Sequence, residues 1–221
     1  MAKRLAYIHT VAGLPQVFKD LSNELLPGID VFHIVDESLL QNTIRLNQLS
    51  KSTIRRLIGY LASAEEAGAD LIMVTCSSVG PAVDLGRSMV NIPVFRVDEP
   101  MADLAVQTGR KIGVAATLET TLNPTAALIK SKAARAGKDV EVISKLCVGA
   151  FEAVISGDTA GHDSIVSAGL RELMPQVDVI VLAQASMARV VQGIPEKDRR
   201  VPVLSSPRLA VEHLAQIIPT L

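Results

Sequence analysis

The sequence predicts an α/β protein of two pseudo-symmetric lobes, each built on a four-stranded parallel sheet. Short apolar runs alternate with longer amphipathic stretches along the chain, and the runs are apolar at successive positions, as strands covered on both faces must be. The order of these elements also occurs twice. Leu5–Ile8, Val31–Val35, Leu71–Val74 and Pro93–Val97 read as the first set of strands. Between them Ile54, Leu57, Ile58 and Leu61 fall at helical spacing, with Gly68 placed to end that helix. Met101, Leu104, Ala105 and Thr108 repeat the pattern before Gly109. Strands alternating with helices imply right-handed crossovers between parallel neighbours.

The second set follows the first at a nearly constant offset. Lys111–Ala116 repeats Arg4–His9, and each strand is followed by a threonine, Thr10 and Thr117. Val140–Ile143 answers Val31–Ile34, and Asp178–Gln184 answers Asp70–Cys76 at an offset of 108 residues. Ile92-Pro93-Val94 answers Val201-Pro202-Val203. Two flavodoxin-like lobes are expected, one from residues 1–98 plus 206–221 and the other from residues 99–205. The last helix, Pro207–Ile218, should return to the first lobe with Ala210, Val211, Leu214 and Ile217 at core spacing. Ligands of open α/β sheets bind beyond the carboxyl ends of the strands. The active site is therefore expected in a cleft between the lobes, where the loops after Val74 and Leu182 approach each other.

Composition limits the function. Of 221 residues, 48% are hydrophobic and 20% charged, enough to bury a sizeable core. Lys+Arg 22 against Asp+Glu 23, with 3% aromatics and no Trp, argues against a nucleic-acid partner, which needs a basic surface and stacking platforms. Lys3-Arg4 and Leu5–Ile8 open like a signal peptide, but His9 and Thr10 interrupt the run, and no stretch reaches the 18 or so residues of a membrane span. Two cysteines form no disulfide framework, so a cytoplasmic setting is expected. Gly161-His162-Asp163 lacks a second ligand pair at metal spacing, and no phosphate loop or dinucleotide fingerprint occurs, so neither a metal nor a cofactor is expected.

Chemistry should lie just beyond the strands. Leu71–Thr75 delivers Cys76-Ser77-Ser78-Val79-Gly80, with a helix expected from about Pro81. A thiol at a helix amino end sits among unpaired N–H groups, and its pKa should fall. Ser77 and Ser78 add hydroxyl donors. The matching tip carries Gln184-Ala185-Ser186, and a Gln cannot exchange a proton. Thr117 and Thr120, with Thr121, either bind a carboxylate or cap the next helix. His9 is a candidate proton-transfer partner, although a lone histidine at a strand end is more often structural; Asp36-Glu37-Ser38 reads as a cap, and Cys147, aligned with Ser38 in the repeat, reads as packing.

Ala69-Asp70-Leu71-Ile72-Met73-Val74-Thr75-Cys76-Ser77-Ser78, Lys111-Ile112-Gly113-Val114-Ala115-Ala116-Thr117 and Asp178-Val179-Ile180-Val181-Leu182-Ala183-Gln184, in this order, resemble the aspartate/glutamate racemase superfamily. That superfamily includes hydantoin and allantoin racemases, maleate isomerases and arylmalonate decarboxylases, and the likeness covers essentially the whole chain. It implies a cofactor-free enzyme acting on a small carboxylate, with a homodimer as the expected assembly. By position, Cys76 matches the first catalytic cysteine, and Ser77 and Ser78 match the pair that follows it. Thr117 and Thr120 match the substrate-binding threonines, and His9 and Thr10 fall where many members carry Asp-Ser. Gln184 falls on the second cysteine, and Ser186 falls where glutamate racemases carry a histidine. The resemblance thus implies Cys76 as acid/base or nucleophile, with His9, Thr10, Ser77, Ser78, Thr117, Thr120, Gln184 and Ser186 against the substrate. Losing one of two opposed thiols leaves three readings open: a racemase or isomerase, a single-cysteine decarboxylase of malonate-type acids, or a catalytically silent carboxylate-binding module.

Overall fold

A computed structural model describes residues 3–195 and 199–220. The chain divides into two compact units, one reaching to Glu99 and resuming at Pro207, the other spanning Pro100–Ser206. The first unit runs β1 (Arg4–His9), α1 (Leu14–Leu25), β2 (Asp30–Val35), α2 (Glu37–Arg45), α3 (Lys51–Glu66), β3 (Leu71–Val74), α4 (Gly80–Gly86) and β4 (Val94–Arg96). α5 (Glu99–Thr108) leads into β5 (Lys111–Ala116), α6 (Glu119–Arg135), β6 (Glu141–Leu146), α7 (Ala150–Ile155), α8 (Thr159–Leu173), β7 (Val179–Leu182), α9 (Ala188–Gln192) and β8 (Val203–Ser205). α10 (Ser206–Ile217) then packs Ala210, Val211 and Leu214 against Leu5, Tyr7, Leu71 and Met73 of the first sheet.

Both sheets are parallel and four-stranded, in the orders β2-β1-β3-β4 and β6-β5-β7-β8. Alternation along the central strands divides the first unit's core in two. Leu5 and Tyr7 face Phe18 and α10, whereas Ala6 and Ile8 face Leu57 and Leu61 of α3 and Val83 of α4. The central strands β1, β3 and β7 are almost wholly buried, which is why they read as continuous apolar runs. The edge strands β2 and β6 are only half covered. That explains why β6 extends through Ser144 and Lys145 to Leu146, past the apolar segment Val140–Ile143 that predicts it. The helix around Leu57 ends where expected: Gly68 takes φ +86 and its N–H donates to Glu65 C=O at 2.9 Å, a left-handed stop that needs glycine.

The register corrects one alignment within the repeat. Asp36 N–H donates to His9 C=O at 3.0 Å, and Cys147 N–H donates to Ala116 C=O at 2.8 Å. Cys147 is therefore the counterpart of Asp36, not of Ser38; the loop between β5 and β6 is two residues longer than the sequence alignment allows. Cys147 is buried in the second unit's core, and Asp36 caps α2 by accepting from Ser38 N–H at 3.0 Å. Among the described residues no helix is long and apolar enough to cross a membrane.

One feature of the first unit is polar and buried. Arg96, at the end of β4, donates to Asp98 through Nε and Nη2, both at 2.9 Å, and to Asp84 through Nη1 at 2.6 Å. Arg96 is 4% exposed and Asp98 fully buried, so each charge depends on the other. The guanidinium lies against Gly80, where an added Cβ would come within 2.4 Å of it, so the pair supports the start of α4 just beyond Cys76. Asp98→Asn leaves Arg96 without its bidentate partner and is expected to cost about 3–5 kcal/mol. Urea unfolding followed by circular dichroism measures this, and an unchanged midpoint would refute a structural role for the pair.

Candidate functional site

At the first unit's tip, Cys76 leaves β3 in extended conformation (φ −135, ψ 116), and Ser77–Val79 form a 3₁₀ turn before α4. The half-buried thiol meets the backbone N–H groups of Ser78 and Val79 and the Ser78 hydroxyl, and beside it lies the Thr10 hydroxyl, buried and without a hydrogen-bond partner among the described residues. Ser77 and Ser78 are themselves buried. These four donors favour thiolate, yet burial outweighs them and holds the Cys76 pKa above the ordinary thiol value. The expectation of a lowered pKa is thus corrected. A three-residue turn followed by the seven residues of α4 offers a short dipole, and desolvation exceeds it. Burial thus favours the neutral thiol over the thiolate.

His9 lies in the same strand as Thr10 but points elsewhere. Its ring is fully buried, with Nδ1 2.8 Å from Thr75 Oγ1 and Nε2 2.9 Å from His33 Nδ1. Because the Thr75 hydroxyl donates to Ile8 C=O at 3.2 Å, it accepts from His9 Nδ1–H, and His9 Nε2 accepts from His33. The His9 and His33 rings stack on each other and on Tyr7. Burial and the neighbouring His33 drive the His9 pKa down to about 3. Both nitrogens are taken, and His9 sits in the core of the first unit.

The second unit repeats this tip. Gln184 leaves β7 in the same extended conformation (φ −132, ψ 137), and Ala185–Met187 form the matching 3₁₀ turn. In place of a thiol facing Thr10, its carboxamide is bound to Thr117. The amide oxygen accepts from Thr117 N–H at 2.5 Å and from Thr117 Oγ1–H at 3.1 Å, while Nε2 donates to Thr117 Oγ1 at 2.8 Å. Neither Thr117 nor Thr120 caps α6, whose N-cap is Leu118 with no side-chain bond. The Thr120 hydroxyl is buried and has no partner among the described residues, and Ser186 is exposed.

A family model described as Asp/Glu/Hydantoin racemase matches residues 10–214. The chain belongs to the Asp/Glu/hydantoin racemase family. It is therefore an enzyme of the racemase/isomerase superfamily. This racemase-family chain is similar in structure to allantoin racemase from Klebsiella pneumoniae, at 16% identity and TM-score 0.72 over 99% of this chain and 89% of that one. It is also similar to glutamate racemase from Bacillus anthracis, at 18% identity and TM-score 0.78 over 99% and 82% of the two chains. Aspartate racemase from Picrophilus torridus is similar at 14% identity and TM-score 0.72 over 97% and 95%. At such identities the likeness is one of fold. A search among curated proteins finds no match.

Within this racemase-family fold, the predicted residues form two clusters described separately: Cys76, Thr10, Ser77 and Ser78 at one tip, and Thr117, Thr120, Gln184 and Ser186 at the other. Among the described residues no three His, Cys, Asp or Glu side chains gather to hold a metal. Sequence reasoning missed Thr75, His33 and the Arg96–Asp98 pair. The last had a signal, since Arg96 and Asp98 flank Val97 just after an apolar strand, where unpaired charge is not tolerated.

Two outcomes follow. Because the His9 pKa is lowered in the folded protein, the unfolded state binds the extra proton; stability is fully present above about pH 6.5 and is lost as pH falls toward 3. Between pH 6 and 4 wild type should lose up to about 1.4 kcal/mol per pH unit more than His9→Asn, read from urea midpoints. Equal slopes would exclude a buried neutral His9. Separately, iodoacetamide should modify Cys76 at pH 7 more slowly than it modifies glutathione, and Thr10→Val should slow it further. Peptide mass spectrometry distinguishes Cys76 from Cys147, and a faster reaction at Cys76 would show that its donors outweigh burial.

Proposed function

We propose that the protein moves a proton at the carbon next to a carboxyl-type group of a small substrate (an amino acid, hydantoin or dicarboxylate), with Cys76 as the group that exchanges it. No cofactor enters this reading. The observation that carries it is the set of donors around a single half-buried thiol: the Ser78 hydroxyl and the N–H groups of Ser78 and Val79, with the unpartnered Thr10 hydroxyl beside them. Such a setting stabilises the thiolate in the instant after the proton leaves, and a neutral resting thiol is the proper state for a proton donor. Thr117, Thr120, Gln184 and Ser186 are the substrate-binding groups in this proposal; with Thr117 held by Gln184, the open Thr120 hydroxyl and the start of α6 stabilise the enolate oxygen. Ser77 and Ser78 shape the turn that aims the thiol.

A second reading is favoured by the neutral thiol together with Gln184. Two-base inversion needs a thiolate on one face and a thiol on the other, whereas protonating a carbanion formed by loss of CO₂ needs a single acid. Incubation in D₂O across a panel of 2-amino acids, hydantoins and 2-substituted malonic acids separates the two. Racemisation exchanges the α-proton and scrambles its configuration, and decarboxylation installs one deuterium with one configuration. Either way Cys76→Ala should lower the rate about 10²–10⁴-fold while leaving the fold intact. Turnover that survives Cys76→Ala would exclude Cys76 as the proton carrier, and absence of turnover on every class would leave the silent binding module.

A further inference from the structure

An N–H and an O–H converging on one oxygen make a donor pair suited to an anionic ligand. Thr117 offers such a pair, and in this chain both donors end on the Gln184 amide oxygen, at 2.5 and 3.1 Å. The clasp is closed from the other side by Nε2 donating to the same hydroxyl at 2.8 Å. Thr117 is 6% exposed, so little water competes with this arrangement. What remains open at the tip is the Thr120 hydroxyl, buried and without a partner among the described residues.

We propose that Gln184 is a specificity-determining residue: its amide oxygen fills the position a ligand's carboxylate oxygen would take on Thr117, and the tip therefore selects a neutral carbonyl, of the amide or cyclic-ureide class, over a carboxylate. One hydroxyl donor satisfies a neutral carbonyl oxygen. An ionised carboxylate needs several donors to offset its desolvation and finds Thr117 already occupied. The side chain that removes a proton carrier from this tip thus also sets the charge of what it accepts.

The proposal rests on the reading that Thr117 and Thr120 meet the substrate. Its test reads binding rather than turnover, so the two fail separately. The probes are hydantoin, a neutral cyclic ureide at pH 7, and its ring-opened acid, N-carbamoylglycine. Amide NMR titrations should show wild type binding hydantoin at least tenfold more tightly than the acid. Gln184→Ala frees both Thr117 donors and should tighten the acid at least tenfold, with the Thr117 amide resonance moving as it binds. Gln184→Glu keeps an acceptor on Thr117 and should keep the acid out, an outcome that loss of packing alone would not give. The proposal is overturned if wild type prefers the acid or binds neither probe. It is also overturned if Gln184→Ala fails to tighten the acid, or if Gln184→Glu behaves as Gln184→Ala does.

Discussion

One backbone hydrogen bond, made once in each unit, fixes where the functional side chains stand. Thr75 N–H donates to Ile8 C=O at 3.0 Å, and Ala183 N–H donates to Ala115 C=O at 2.9 Å. Each extends a parallel ladder one step past its last strand residue, and parallel strands permit one register for a given set of inward side chains. With that bond made, the next residue of β3 faces the residue after β1, which brings Cys76 to Thr10. The same step brings Gln184 to Thr117. A slip of one residue would turn Leu71 and Met73 from α10 toward α3, so the hydrophobic packing of both sheet faces and the site geometry are enforced together.

The thiol's state follows from a competition that the tip sets up. Four polar groups, two of them the turn's N–H groups, favour the anion; removal from water opposes it and is the larger effect. Helix-dipole reasoning from sequence counts the donors and cannot count the desolvation, because the latter depends on Ser77, Ser78 and Thr10 being buried around the sulfur. The same logic governs His9. A histidine at a strand end looks like a ligand, but Tyr7, Phe18 and His33 enclose its ring and Thr75 Oγ1 accepts a hydrogen bond from its Nδ1–H. Its role is to fill the core with a polar group whose hydrogen bonds are all internal, which holds β1, β2 and β3 in step.

Legibility varied with burial. β1, β3, β5 and β7 are covered on both faces, so their apolar runs mark them within a residue or so. The edge strands are half exposed and tolerate Ser144 and Lys145, so β6 loses its signal halfway along and the Cys147 alignment slips by two residues with it. The identities of Cys76, Thr117 and Gln184 as tip residues were readable because they follow central strands. What each side chain does there was not, since it depends on partners 66 or 67 residues away, such as Thr75 for His9 and Gln184 for Thr117. Buried ion pairs are hidden for the same reason: Arg96 is explained only once Asp84 and Gly80 are known to close around it.

The two tips are therefore one device with two settings. Each places a threonine hydroxyl against the side chain that ends the neighbouring strand, and backbone conformation at the two positions agrees closely. In the first copy the partner is titratable and burial keeps it neutral. In the second it is a carboxamide, neutral at every accessible pH, able to accept and donate at once and so to satisfy the threonine completely. A cysteine there would leave Thr117 N–H and Oγ1–H available, and a buried donor pair without an acceptor is costly unless a ligand supplies one. Replacing thiol by amide thus does more than delete a base: it satisfies the unit's own donors in the absence of ligand, and a ligand that wants them must first displace Gln184.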